Sequence, residues 1–168
     1  LEDCCGVKLW AKQIEIAETL VHHNVAVPAV FGVGKTLVAG WITVWWLYTH
    51  PFSQVVTTAP TGRQVKDQLW AEIRHAYHSS KLPLGGEMLT TELRVNPKYP
   101  KWFATGFATN EEHIDKFTGY HAVAGTLLIF DQACGIHPLI WTGGEGLVTT
   151  EGSRWLALTN TTDQDSEM

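Results

Sequence analysis

The stretch VAVPAVFGVGKT, residues Val25–Thr36, decides the fold class of this chain. It begins with small and β-branched apolar residues, which predict a short buried strand over Val25–Val27. A glycine-spaced turn follows and ends in Gly34-Lys35-Thr36, directly before a long apolar segment. Strand, glycine turn, Lys-Thr pair and helix are, in this order, the parts of a phosphate-binding loop.

The residue types in this loop fit an anion. Gly32 and Gly34 allow a tight turn whose N–H groups converge, and the following helix adds the positive end of its dipole. Lys35 is expected to reach the β- and γ-phosphates of a nucleotide, and the Thr36 hydroxyl to hold Mg²⁺. One departure is Ala29, which stands where the standard pattern has its first glycine. The predicted nucleotide-binding loop comprises Ala29, Gly32, Val33, Gly34, Lys35 and Thr36.

The composition favours a single compact domain. The chain has 168 residues, of which 45% are hydrophobic and 17% charged. We therefore expect one domain over residues 1–168, with a patternless start at residues 1–7. A net charge of -5 argues against tight, unaided binding of nucleic acid. The three cysteines have no metal-binding spacing, which suggests a reducing compartment.

The sequence predicts no membrane association. Its longest apolar run, residues 37–48, is too short to span a bilayer, and no leader pattern is seen at the start. A cytoplasmic location is the expectation.

The remaining pattern predicts a mainly parallel α/β sheet, because buried strands alternate with helices. The predicted strands are Gln54–Thr58, Thr126–Phe130 and Arg154–Leu158, with a hairpin of Thr90–Val95 and Trp102–Ala108 at a sheet edge. The predicted helices are Lys8–His22, an all-round apolar helix after Thr36, a helix capped by Thr61 and Gln64 that reaches Tyr77, a short helix from Thr109 to Gly119, and Ile136–Val148, which three glycines weaken.

Two residues ahead of the phosphate loop have the chemistry to bind adenine. The Gln13 amide can both donate to and accept from a base edge, and Trp10 can cover a purine face. The alternative is an ordinary amphipathic helix with a surface glutamine, and spacing alone favours that alternative.

Polar residues follow two of the predicted strands. Asp131 ends the Thr126–Phe130 strand, where ligands bind in parallel sheets and where a carboxylate can hold Mg²⁺. By itself this pattern also fits a solvated aspartate at a strand end. The cluster Thr159–Thr162 after the last strand could sense a γ-phosphate or form a turn.

Taken in order, these motifs resemble the ATPase domain of tailed-phage terminase large subunits, the motors that pump DNA into capsids. The resemblance runs from Trp10 to about Asp163. It rests on Trp10 with Gln13, AVFGVGKT, TTAPT, EEHIDKFTGYHA, LLIFDQ and LALTNTTD. It implies a three-layer P-loop fold of the RecA/ASCE type. It also implies that the strand leading to Asn160 lies between the phosphate-loop strand and the Asp131 strand.

The resemblance also implies roles for individual residues. Gln13, with Trp10, is the adenine-binding motif; Lys35 and Thr36 contact phosphate and Mg²⁺; Asp131 is the Walker B aspartate. Asn160 lies in the motif that couples hydrolysis to movement. The implied cofactors are ATP and Mg²⁺. The implied partners are double-stranded DNA, the portal and capsid, the small terminase subunit and a homo-oligomeric ring in the host cytoplasm.

Three departures qualify the resemblance. Besides Ala29, Gln132 stands where the family has the glutamate that activates water, which predicts impaired hydrolysis. The family's nuclease domain has no counterpart in these residues. Arg63 and Arg154 are both candidates for the catalytic arginine. The open alternatives are a nucleotide-binding module without turnover and another helicase-like DNA-dependent ATPase.

Overall fold

A computed structural model describes residues 6–109 and 119–161 of the chain. Its elements are α1 (Ala11–His22), β1 (Val25–Ala29), α2 (Lys35–Thr49), β2 (Gln54–Ala59), α3 (a π-helical turn, Gln64–Leu69, continued by the α-helix Trp70–His78), β3 (Glu87–Met88), β4 (Glu92–Arg94), β5 (Phe103–Ala108), β6 (Thr126–Asp131), a 3₁₀ turn (Ala133–Gly135), α4 (Pro138–Leu147) and β7 (Arg154–Asn160).

The strands form one seven-stranded sheet in the order β1-β7-β6-β2-β5-β4-β3. The five strands from β1 to β5 in this order are parallel, and the β5-β4-β3 edge is antiparallel. The α/β fold with a mainly parallel sheet is thereby confirmed. The order implied by the resemblance is confirmed as well, because β7 lies between β1 and β6.

Helices cover both faces of the sheet. Alternate residues of the central strands, among them Leu127 and Ile129, pack with α1, α2 and α3 in the larger core. The residues between them, such as Leu128 and Phe130, pack against α4 in a second core. This alternation is the period of two that a sheet buried on both faces requires.

The strand predicted over Val25–Val27 is confirmed as the start of β1, but it is only half buried: Val25 and Val27 pack in the larger core. β1 is an edge strand, and Ala26 and Pro28 on it are exposed. The edge position explains Pro28, since a proline lacks the N–H that a central strand must donate.

The hairpin prediction is confirmed, because β4 pairs with β5 antiparallel near the sheet edge, with the short strand β3 outside it. The helix weakened by glycines is α4. Gly144 lets it approach the sheet, since a Cβ there would lie 2.6 Å from a Leu128 methyl carbon. Most of the helix expected from Thr109 to Gly119 falls outside the described residues. Within the described residues, no helix combines the length and apolar character needed to cross a membrane.

Candidate nucleotide-binding site

The phosphate loop has the backbone that its glycines predict. Gly32 and Gly34 adopt φ values of 78° and 82°, in the left-handed region where a side chain would be strained. Gly34 is the N-cap of α2, so the first helical residue is Lys35. The Lys35 ammonium donates hydrogen bonds to two loop carbonyls, those of Ala29 at 2.8 Å and Val30 at 2.7 Å. The loop carbonyls thus hold the Lys35 ammonium, the charged group that a phosphate would contact.

Asp131 lies opposite this loop at the carboxyl end of β6. Its carboxylate is 2% exposed and accepts hydrogen bonds from the Thr36 hydroxyl at 3.3 Å and the backbone N–H of Gln132 at 3.1 Å. Burial raises the pKa of Asp131, against the opposing effects of these two hydrogen bonds and the Lys35 charge. Burial also lowers the pKa of Lys35, which the Asp131 charge partly offsets. A cation that draws on the Asp131 carboxylate would relieve the cost of its burial.

Asn160 is the last residue of β7, so it lies at the carboxyl ends of the parallel strands, as Asp131 does. The parallel register of β7 with β1 pairs Asn160 with Ala29, the first residue of the loop motif. Asn160 lines a pocket of about 400 Å³ with Thr36 and Asp131. We call it the phosphate-side pocket; it is lined by Phe31, Gly32, Gly34, Lys35, Thr36, Leu37, Gln68, Glu72, Asp131, Gln132, Leu158, Thr159 and Asn160.

A second pocket, of about 440 Å³, lies on the other side of Lys35, between α1 and the β1 strand. We call it the base-side pocket. Gln13 is buried in its wall, with its amide oxygen 3.4 Å from the backbone nitrogen of Trp10. The Gln13 amide nitrogen would be 3.0 Å from a Cβ on Gly34, so this side chain abuts the loop. Trp10 is 52% exposed at the rim of the pocket.

All the site residues predicted from the sequence line one of these two pockets. Trp10, Gln13, Ala29, Val33, Gly34 and Lys35 line the base-side pocket, and Gly32, Gly34, Lys35, Thr36, Asp131, Gln132 and Asn160 the phosphate-side pocket. The two arginine candidates are separated. Arg154 is the first residue of β7, at the opposite end of this strand from Asn160. It donates to the backbone carbonyls of Ser153 and Val21. Arg63 is exposed next to the first turn of α3.

The sequence reading missed the contribution of α3. Gln68 and Glu72, one helical turn apart, line the phosphate-side pocket. Gln64 donates to the side-chain oxygen of Gln132 at 2.6 Å. The predicted cap of this helix is confirmed, because Thr61 and Gln64 exchange hydrogen bonds. The spacing of Gln64, Gln68 and Glu72 on one helix face was the available signal for a polar face.

The sheet order and the strand–glycine turn–helix at its edge define a P-loop α/β fold. Comparison with solved structures makes this more specific. The large terminase from a thermophilic bacteriophage shares the fold with a TM-score of 0.70 at 12% identity, over 91% of this chain and 39% of that one. A complex of the same protein with ADP gives a TM-score of 0.69 at 12% identity, over 90% of this chain and 39% of that chain.

The large terminase ATPase domain of Thermus phage P74-26 gives a TM-score of 0.70 at 19% identity, over 92% of this chain and 66% of that one. The chain therefore has the fold of phage large terminase ATPase domains, and it spans well under half of the thermophilic bacteriophage protein. No protein-family model and no curated protein matches the chain.

Proposed function

We propose that this chain is the ATP-binding and ATP-hydrolysing motor domain of a viral terminase large subunit, which drives DNA into capsids. The observation that carries the proposal is the convergence of Lys35, Thr36 and Asp131 at one edge of the sheet, with Thr36 and Asp131 in direct contact. The shared fold and the ADP complex of the thermophilic bacteriophage terminase support it.

In this proposal the two pockets hold the two ends of one nucleotide. Adenine lies between Trp10 and Gln13, and the triphosphate crosses the loop into the phosphate-side pocket. Lys35 exchanges its bonds to the loop carbonyls for phosphate oxygens. Thr36 and Asp131 hold Mg²⁺, which neutralises phosphate charge when bound. Asn160, beside the loop, connects the γ-phosphate to β7.

The residue after Asp131 sets the rate. A glutamate at this position could accept a proton from the attacking water, whereas the neutral amide of Gln132 is not a useful base. We therefore propose that ATP binds near normally and that hydrolysis is slow. The same residue favours the second candidate, a nucleotide-binding module without turnover.

The partners in this proposal are those of a packaging motor: double-stranded DNA, the capsid portal, the small terminase subunit and further copies of the chain in a ring, in the host cytoplasm. The third candidate, another helicase-like DNA-dependent ATPase, differs in acting without a capsid. ATP turnover stimulated by empty capsids and linear DNA would separate the two.

The direct test is nucleotide affinity after Lys35→Ala, measured by calorimetry with Mg²⁺. A charge-assisted contact is worth about 1.5–3 kcal/mol, so the affinity should fall roughly ten- to hundredfold. Lys12→Ala is the matched control, because Lys12 lines the base-side pocket but pairs with Glu15 at its surface. Equal affinity of the folded Lys35→Ala variant and the unaltered chain would refute the nucleotide site.

A further inference from the structure

Gln132 is held by two other glutamines. Gln64 donates its amide N–H to the Gln132 oxygen at 2.6 Å, and the Gln132 amide nitrogen lies 3.4 Å from the Gln68 oxygen. Both partners come from the π-helical turn that begins α3. We call Gln64, Gln68 and Gln132 the glutamine cluster. The backbone N–H of Thr61 donates to the Gln64 oxygen, so the Gln64 nitrogen faces Gln132, and the atom of the Gln132 amide that accepts from it is the oxygen.

The backbone on both sides of the cluster is unusual. Gln132 has φ 55° and ψ 51°, the left-handed conformation, which a non-glycine residue adopts at some cost. Its partners lie in a π-helical turn, a rare conformation that is frequent at functional sites. These features lie against each other at the wall of the phosphate-side pocket.

The anchored amide keeps free hydrogen-bonding capacity. An amide oxygen has two lone pairs and its nitrogen two hydrogens. Among the residues that the structure describes, Gln64 uses one lone pair and Gln68 one hydrogen, which leaves an acceptor and a donor. In other phosphoryl-transfer sites a glutamine that orients the attacking water has this chemistry, without acting as a base.

We infer that Gln132 orients the attacking water and that Gln64 and Gln68 are its positioning residues. This inference rests on the proposed ATPase function. In the step concerned, the water oxygen bonds to the γ-phosphorus and the bond to the β–γ bridging oxygen breaks. The electron pair leaves with ADP, and the water proton passes to a γ-phosphate oxygen. Gln132 makes no bond to phosphorus and takes no proton.

A double-mutant cycle between Gln64 and Gln132 tests the inference, with methionine in each place because it keeps the length but loses the amide. Single-turnover ATP hydrolysis is measured at saturating ATP and Mg²⁺. Gln64→Met should slow it about fivefold in the unaltered chain, the size expected for one lost hydrogen bond. In a Gln132→Met background the same change should alter the rate less than about twofold.

The helix cap is the structural confounder, because the Gln64 side chain also accepts from Thr61. The same cycle is therefore run with Thr61→Val, which weakens the cap and leaves the Gln132 contact in place. Its effect should be the same in both backgrounds. If Gln64→Met also acts equally in both backgrounds, or not at all, the positioning role is overturned.

Calorimetry on the same samples separates this inference from the function on which it rests. All the folded variants should bind ATP within about twofold of the unaltered chain, since the glutamines bind no phosphate in this scheme. An unaltered chain that does not bind ATP would overturn the proposed function itself. A chain that binds ATP but hydrolyses none above the buffer rate would overturn the water-orienting role together with the hydrolytic part of the proposed function, and would leave the nucleotide-binding module without turnover. Equal effects of Gln64→Met in both backgrounds, in a chain that does hydrolyse ATP, would overturn the positioning role alone.

Discussion

The two pockets on either side of Lys35 are assembled in different ways. Among the residues that the structure describes, those that line the base-side pocket all lie from Trp10 to Val38, in one local segment. The described lining of the phosphate-side pocket comes from four segments that are far apart in sequence, around residues 31–37, 68–72, 131–132 and 158–160. A local pocket follows from a motif and the elements beside it. A pocket assembled from distant segments depends on the order of the strands.

This difference suggests that the two pockets have different functions, which substitutions in each pocket can test. Changes in the base-side pocket should alter the affinity for the base, and changes in the phosphate-side pocket should alter catalysis.

Gln132→Glu should give the largest effect and should be confined to catalysis. A general base typically contributes about 10²–10⁴-fold, so single-turnover hydrolysis should accelerate by about that much. ATP affinity should change little, because Lys35, Thr36 and Asp131 are untouched. Rates are compared for both forms, alone and in the full packaging assembly. Equal rates in the assembly would mean that a base at position 132 contributes nothing to the chemical step.

Trp10→Ala should lower the affinity for ATP about tenfold, since stacking of an aromatic on a base is worth about 1–3 kcal/mol. Inorganic tripolyphosphate, which has no base, should bind both forms equally in the same calorimetric experiment. Tyr99→Ala is the control, since Tyr99 is similarly exposed, at 48%, and lines neither pocket. A parallel loss of tripolyphosphate affinity would mean that Trp10 supports the loop rather than the base.

Features with a local sequence signal could be predicted, whereas features that depend on the order of the strands could not. The loop at Val25–Thr36 and the strand ending at Asp131 carry local signals, and the structure brings Thr36 and Asp131 together. The exposed edge position of Pro28 was missed, because apolar residues alone do not show whether a strand is central or at an edge.

The glutamine cluster could not be predicted, for a related reason. The Thr61–Gln64 pair was recognised as a helix cap, but its contact with Gln132 spans 68 residues of sequence. Only the pairing of β6 with β2 brings the start of α3 to the end of β6. The π-helical turn had no sequence signal that we recognised.

Asp131→Asn should give the smallest effect, an increase in the stability of the nucleotide-free protein. Burial raises the pKa of Asp131, so the folded state binds its proton more tightly than the unfolded state does. The ionised carboxylate therefore costs stability at neutral pH. The single oxygen of asparagine can still accept from the Gln132 N–H, and its NH2 group can donate to the Thr36 hydroxyl, so both contacts are kept without the charge. Thermal unfolding at pH 7 should shift upward by about 2–4 °C, the size of a 1 kcal/mol gain in a domain of this length.

The pH dependence distinguishes this explanation from a general gain in packing. The aspartate's stabilising contribution is complete below the unfolded pKa of about 3.9 and is lost as the pH rises through the higher folded value. The advantage of asparagine should therefore vanish near pH 4 and grow toward pH 7. Asp67→Asn, at an exposed position on α3, is measured alongside it as the control. With Mg²⁺ and ATP the order should reverse, because ligand binding stabilises the unaltered chain more than a variant with a weakened metal site. The higher thermal stability of the asparagine variant should depend on pH and disappear at saturating Mg²⁺ and ATP. If it does neither, Asp131 is not the buried metal ligand of the phosphate-side pocket.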